Sequence, residues 1–163
     1  MDPIENEVEY DIQTPYEFTG AVAYEIAGLT ISADATFIDY TQIEFGDGLN
    51  EGLVSQNNRD IKNNFEEVFN YNFGFEYKLP YPFITIRGGF IMQPSAYKDD
   101  PSEFDRKYVT GGIGIMPNKT LSLDFAYAHG WWKNYGDNYG FDVSRTFQDI
   151  STNNFIVTLK YLF

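Results

Sequence analysis

Along most of this chain apolar and polar residues alternate with a period of two, the repeat of a β-strand with one greasy and one wet face. From Tyr16 the even positions run Tyr16, Phe18, Gly20, Val22, Tyr24 and Ile26, with Glu17, Thr19, Ala21, Ala23 and Glu25 between them. From Leu29 the odd positions take over as Leu29, Ile31, Ala33, Ala35 and Phe37. Only Ala27-Gly28 separates the two runs, so the spacing predicts a tight hairpin that keeps both apolar sets on one side. A third run sets Phe69, Tyr71, Phe73, Phe75, Tyr77 and Leu79 against Asn70, Asn72, Gly74, Glu76 and Lys78. A fourth sets Ile84, Ile86, Gly88, Phe90 and Met92 against Thr85, Arg87, Gly89 and Ile91. Tyr108 to Ile115 and Leu121 to Trp131 form a fifth and a sixth, and the seventh closes the chain through Phe155, Val157, Leu159, Tyr161 and Phe163.

No stretch of comparable length shows a helical period, so the chain reads as all-β. Its connections alternate in length. Ala27-Gly28, Pro80 to Pro82 and Pro117 to Thr120 are tight, whereas Gly46 to Asn64, Pro94 to Arg106 and Trp132 to Thr152 are long, polar and rich in Gly, Asn and Asp. Tight turns at one end and long loops at the other are the pattern of an antiparallel transmembrane β-barrel of the outer membrane. In such a barrel strands of about 10 residues carry an apolar lipid face and a polar lumen face. Tyr77, Tyr161 and Phe163 at the turn side, and Trp131 and Trp132 at the loop side, are the candidates for aromatic girdles where the barrel meets lipid headgroups. A chain end normally frays. The apolar terminal strand is expected to be held by pairing with the first strand in a closed barrel.

Composition sharpens this in three ways. Aromatic residues make up 18% of the 163 residues, with 13 Tyr and 15 Phe but 2 Trp, and no run of 18 apolar residues is long enough for a membrane helix. The net charge of -13 would be repelled by a phosphate backbone and excludes nucleic acid as a partner. With no cysteine there is neither a disulfide framework nor a thiolate metal site. The opening MDPIENEVEYD is acidic where an export signal would be basic and then apolar.

The strand count raises a question of parity. Seven strands put residues 1–14 on the outside as a loop or strand remnant, whereas single-chain bacterial barrels normally have an even number of strands with both ends in the periplasm. IENEVEYDI could supply an eighth strand with Ile4, Val8, Tyr10 and Ile12 outward. It would also stack Glu5, Glu7, Glu9 and Asp11 in one narrow lumen, where like charges repel strongly. The expectation is therefore a single partial barrel domain over 1–163.

The order TPYEFTGAVAYEI, LTISADATFIDYTQIEF, FGFEYKL, ITIRGGFIMQPSAY, DRKYVTGGIGI, LSLDFAYAHG and VTLKYLF resembles the carboxy-terminal half of the FadL-like outer-membrane transporters of long-chain fatty acids and aromatic hydrocarbons. The likeness covers about Thr14 to Phe163. Its most specific part is Gly74 to Tyr77, then Arg87-Gly88-Gly89-Phe90 with Pro94, then Leu121 to Asp124 with Ala126-Tyr127. Tyr40 departs from the Trp that many relatives carry. The resemblance implies the second half of a 14-stranded barrel, with the amino-terminal hatch and first half absent, so the substrate pocket that depends on them is not transferred. It also implies a Gram-negative outer-membrane location, passive transport and no enzymatic activity or cofactor. The implied partners are outer-membrane lipid and lipopolysaccharide, a hydrophobic small-molecule ligand, and the barrel-assembly machinery acting on the terminal strand.

Candidate chemistry is sparse. Glu76 and Arg87 face inward on neighbouring strands, Asp124 on the sixth and Lys160 on the seventh. They read as lumen-lining ion pairs that satisfy one another, or as a lining that anchors a hatch or guides a headgroup. His129 is the only histidine and lacks a second imidazole or thiolate, so neither catalysis nor a metal site is expected. The stretch GDGLNEG lacks calcium-loop spacing, and Asp99, Asp100, Glu103 and Asp105 read as a solvated external loop. A small eight-stranded barrel with a structural or adhesive role is the alternative, and a soluble β-sandwich with Phe69 to Leu79 in its core is a third reading.

Overall fold

The structure is a computed structural model that describes residues 11–46, 51–80, 83–118, 120–137 and 145–161. Its strands are β1 (Ile12–Gln13), β2 (Glu17–Ile26), β3 (Leu29–Asp39), β4 (Glu44–Phe45), β5 (Glu67–Lys78), β6 (Ile84–Gln93), β7 (Arg106–Asn118), β8 (Leu121–Asp137) and β9 (Arg145–Tyr161). β2, β3, β5, β6, β7, β8 and β9 form one antiparallel sheet in sequence order, an up-and-down meander. Phe163 and the acidic start, residues 1–10, lie outside the described residues.

Register carries the alternation across the whole sheet. One row of mutually paired residues runs Ile26, Leu29, Tyr77, Ile86, Ile113, Phe125 and Val157. The next row, one residue along, runs Glu25, Thr30, Glu76, Arg87, Gly112, Ala126 and Ile156. Because side chains on a strand alternate faces, one face is apolar and the other largely polar. The tight turns hold this register. Ala27 (φ 50°) and Gly28 (φ 81°) both take the left-handed conformation that matches the twist of a two-residue hairpin. Asn118 Oδ1 accepts from Thr120 N at 3.0 Å and Leu121 N at 2.9 Å, closing the turn between β7 and β8.

Several expectations are corrected. The connection read as loop from Gly46 contains helix α1 (Glu51–Asn64). Its covered stripe is Val54, Asn57, Asn58 and Ile61, a helical spacing in which two asparagines take the place of apolar residues. Asn58 holds β4 through both backbone groups of Phe45, at 2.8 Å and 3.0 Å. β8 and β9 extend to Asp137 and from Arg145, so much of the loop read from Trp132 to Thr152 is strand. β9 pairs with β8 alone and β2 with β3 alone, leaving the sheet open among the described residues. The stretch weighed as an eighth strand, Ile4 to Ile12, lies outside the described residues except for Asp11 and Ile12, and Ile12 pairs with Phe45 of β4 in a separate ribbon.

The sheet has almost no core of its own. Among the described residues the buried apolar side chains are Ile38, Ile61 and Val68. Ile38 and Val68 pair with each other at the loop end of the polar face. The total accessible surface is 12404 Å², against about 8,300 Å² for a compact 18.8 kDa monomer by size scaling. Apolar-face side chains are part of that exposed surface, with Val22 68%, Phe73 53%, Phe155 77% and Leu159 68% exposed. Among the described residues the only other sheet is the two-stranded β1–β4 ribbon, and Phe69 and Phe73 are exposed rather than in a core, against the β-sandwich reading.

The Ala27-Gly28 turn gives a direct test. A β-carbon on Gly28 would sit 3.1 Å from the Lys78 carbonyl oxygen, and its φ strains any L residue. Gly28→Val is therefore expected to destabilise by about 1–3 kcal/mol. Ala27→Asn, better suited to positive φ, is expected to stabilise by up to about 1 kcal/mol. Thermal unfolding followed by circular dichroism reads both, and opposite signs are the required result.

Candidate functional site

The polar face carries two groupings, one at each end. Near the tight turns, Glu76 on β5 pairs directly with Arg87 on β6, and Arg87 Nε donates to Glu76 Oε2 at 2.7 Å. Arg87 Nη1 also donates to Asp124 Oδ1 at 2.7 Å, reaching right across β7 to β8. That reach depends on Gly112 and Gly114, the β7 residues that face Arg87 and Asp124. A β-carbon on Gly114 would lie 2.5 Å from Asp124 Oδ1 and 3.2 Å from Arg87 Nη1. Lys78 adds looser contacts to Glu76 at 3.5 Å and Glu25 at 3.9 Å, and Ser122 Oγ donates to Asp124 Oδ2 at 3.0 Å. Lys160, opposite Ser122, joins no ion pair with a described residue. With Arg87 bonded to two carboxylates, this is an internally compensated network and contains no nucleophile-base pair.

At the loop end a second construction stands over the same face. Residues 94–105 fold back on themselves, with Asp105 buried and accepting from Ser95 N at 3.2 Å, and Ser95 Oγ donating to Asp100 Oδ2 at 2.5 Å. This loop is tied to the end of α1 by Lys98 N to Asn64 O at 2.8 Å and Glu66 N to Ala96 O at 2.9 Å. The Phe65 and Tyr97 rings meet there with centroids 4.5 Å apart. On its other side Lys133 donates to Glu103 twice, backbone N to O at 2.8 Å and Nζ to Oε2 at 2.6 Å. Between loop and sheet lies a cavity of about 360 Å³. Its walls include Asn70, Gln93, Arg106, Trp132 and Asn134, all polar-face positions on four different strands. Arg106 Cζ stands 5.4 Å from the centroid of the Trp132 ring, and the Tyr108 ring lies 6.0 Å away on the other strand. Tyr108 is accommodated by Gly130, where any side chain would collide with its ring.

Among the aromatics singled out from sequence, Tyr77 and Tyr161 occupy the turn end of the apolar face, opposite Leu29 and Leu121. Trp131 lies at its loop end, opposite Lys107 and Ser151. Trp132 does not join it. Adjacent strand residues point to opposite faces, so Trp132 lines the polar-face cavity. His129 Nδ1 lies 3.0 Å from Asn153 Oδ1, which also accepts from the Tyr127 hydroxyl at 2.7 Å, a polar patch on the apolar face near Trp131. The acidic loop residues are more engaged than a solvated loop implies, as the bonds of Asp100, Glu103 and Asp105 show. The cavity was not legible in sequence, because Asn70, Gln93, Arg106 and Trp132 become neighbours only through the register. No set of three or more metal-ligating side chains occurs among the described residues.

Comparison with protein-family models, curated proteins and solved structures finds no match, so the resemblance in residue order gains no support there and the geometry stands alone.

The network predicts a specific reversal. Arg87→Met is expected to cost about 1–2 kcal/mol in chemical denaturation, because Glu76 and Asp124 lose their shared cation. Adding Glu76→Gln and Asp124→Asn should recover most of it; no recovery would mean that Arg87 matters through packing alone. The Glu103 tie predicts a pH effect outside the strands. The hydrogen bond from Lys133 holds the Glu103 carboxyl below its ordinary 4.5. A depressed carboxyl contributes above the ordinary value, and its contribution is lost as pH falls through the lower folded value. Hydrogen exchange at the Lys133 amide should lose protection in that acid range, and Glu103→Gln should remove the pH dependence.

Proposed function

We propose that this chain forms part of the wall of an outer-membrane β-barrel in a Gram-negative bacterium, with its apolar face in lipid and its polar face on the lumen. The observation that carries this reading is the continuous apolar face left uncovered across all seven paired strands. Left in water, that face would forgo roughly 25 cal/mol for each Å² of apolar surface that lipid removes from it. The strands from β2 to β7 in the main sheet are 10 to 13 residues long, close to the 9–11 that a tilted strand needs to cross. No helix among the described residues is long and apolar enough to do so.

Strand direction bears on closure. In a seven-stranded meander β2 and β9 run the same way, both toward the tight turns, so pairing them with each other would make a parallel seam. A second copy of the sheet related by a two-fold along the barrel axis would make two such seams. Closure with antiparallel pairs alone needs an odd number of further strands between the two edges, and the seven implied by the FadL-like resemblance satisfy that. The eight-stranded alternative is not favoured, since its extra strand would stack Glu5, Glu7, Glu9 and Asp11 in one narrow lumen, where like charges repel. On the same resemblance we assign passive uptake of hydrophobic compounds such as long-chain fatty acids or aromatic hydrocarbons, with lipid and lipopolysaccharide around the barrel and the assembly machinery reading its final strand.

Phe73→Arg and Asn72→Arg test the orientation, being adjacent but on opposite faces in mid-strand. The first is expected to cost about 2–4 kcal/mol of insertion and to deplete the protein from the outer-membrane fraction, while the second is tolerated. Equal tolerance, or a chain freely soluble without detergent, would sink the membrane reading. With insertion intact, cells carrying the protein should take up radiolabelled laurate faster than cells without it. Unchanged uptake would leave the barrel and remove the hydrophobic substrate.

A further inference from the structure

The loop-end cavity has the wrong lining for a hydrocarbon. Asn70, Gln93 and Asn134 present amides, each able to donate and accept, around the rings of Trp132 and Tyr40. A second cavity of about 490 Å³ adjoins it and shares Tyr97, Asp100, Phe104 and Asn134 with the first. Its remaining walls include Asn63, Asn64 and Lys98. Each volume lies in the range of small-molecule sites. Sharing that wall, the two stand next to each other at the loop end and together make the candidate groove.

Arg106 supplies the second observation. Acidic residues outnumber basic ones 24 to 11 in this chain, and neighbouring cations are taken up by carboxylates, Lys107 by Asp105 and Lys133 by Glu103. Arg106 has no ion pair with any described residue. Its guanidinium is held over the Trp132 ring, which orients the planar fork without using its hydrogen-bond donors. Such a fork matches a carboxylate or phosphate in two parallel bonds.

We propose that this groove binds a short acidic oligosaccharide. In this arrangement the hydroxyls meet the amides of Asn70, Gln93 and Asn134, the C–H face of a sugar ring lies on an aromatic ring, and the acidic group pairs with Arg106. The site opens on the loop side of the sheet and is separate from the uptake of hydrophobic compounds. It gives the protein a saccharide-recognising outer mouth. The acidic group can be a uronic-acid carboxylate or a sugar phosphate, which share the same geometry at Arg106.

The experiment titrates trigalacturonate, glucose 1-phosphate, maltotriose and laurate into the full chain in detergent micelles, following Trp132 fluorescence in a Trp131→Phe background and heat by calorimetry. The expected result is saturable binding of trigalacturonate or of glucose 1-phosphate. Which of the two binds more tightly identifies the acidic group. Affinity for that ligand should weaken at least tenfold in Arg106→Gln and also in Asn134→Ala, with strand content unchanged by circular dichroism. Asn134→Ala serves as the independent variant should Arg106→Gln fail to fold. Binding of neither acidic ligand, binding of maltotriose as tight as theirs, or acidic-ligand binding indifferent to both substitutions overturns the proposal. Displacement of the bound acidic ligand by laurate at equimolar concentration also overturns it, assigning the groove to the hydrophobic substrate. Failure of laurate uptake in cells would strike the uptake reading and leave this one standing.

Discussion

Register between neighbouring strands is the constraint on which the rest of this structure depends. A slip of one residue at any of the six interfaces would turn a whole strand over and put glutamates among phenylalanines. The slip is blocked locally, by the positive-φ pair Ala27-Gly28 and by the Asn118 side chain that closes the β7–β8 turn. It is also blocked collectively, because the apolar row from Ile26 to Val157 runs unbroken through seven strands, and the row beside it is polar from Glu25 on β2 to Arg87 on β6.

With register held, the two faces meet different demands. The apolar face needs an apolar surround and little else, so its residues vary freely among Phe, Tyr, Ile, Val and Leu. The polar face must satisfy charges in a crowded plane. It does so by omission as much as by pairing: Gly112 and Gly114 clear the lane through which Arg87 reaches Asp124, and Gly130 makes room for Tyr108 beside Trp132. Glycines that weaken a strand in isolation are here the condition for cross-strand contacts on the polar side.

The long connections follow a different logic from the sheet. They hold together through backbone bonds, Glu66 to Ala96, Lys98 to Asn64 and Lys133 to Glu103, rather than through apolar burial. Ile61 is the single buried side chain of α1. A helix whose covered stripe is half asparagine depends on partners outside itself, as Asn58 does on Phe45 of β4, and that dependence is why no helical period stands out in the sequence.

The sequence alone determined what is local and periodic: the seven strands, their two faces, the tight Ala27-Gly28 turn, and Glu76 and Arg87 on one face, opposite or diagonal across one hairpin, because a period of two with a short turn leaves few arrangements of side chains; the register made them direct partners. Tertiary structure decided whatever depends on residues brought together from several strands. Asp124 became the second partner of Arg87 through an intervening glycine lane, and Lys160 was left out. Trp132 parted from Trp131 to line a cavity with Arg106, Asn70 and Gln93, positions scattered over more than sixty residues that only the stacking of three registers across four strands makes neighbours.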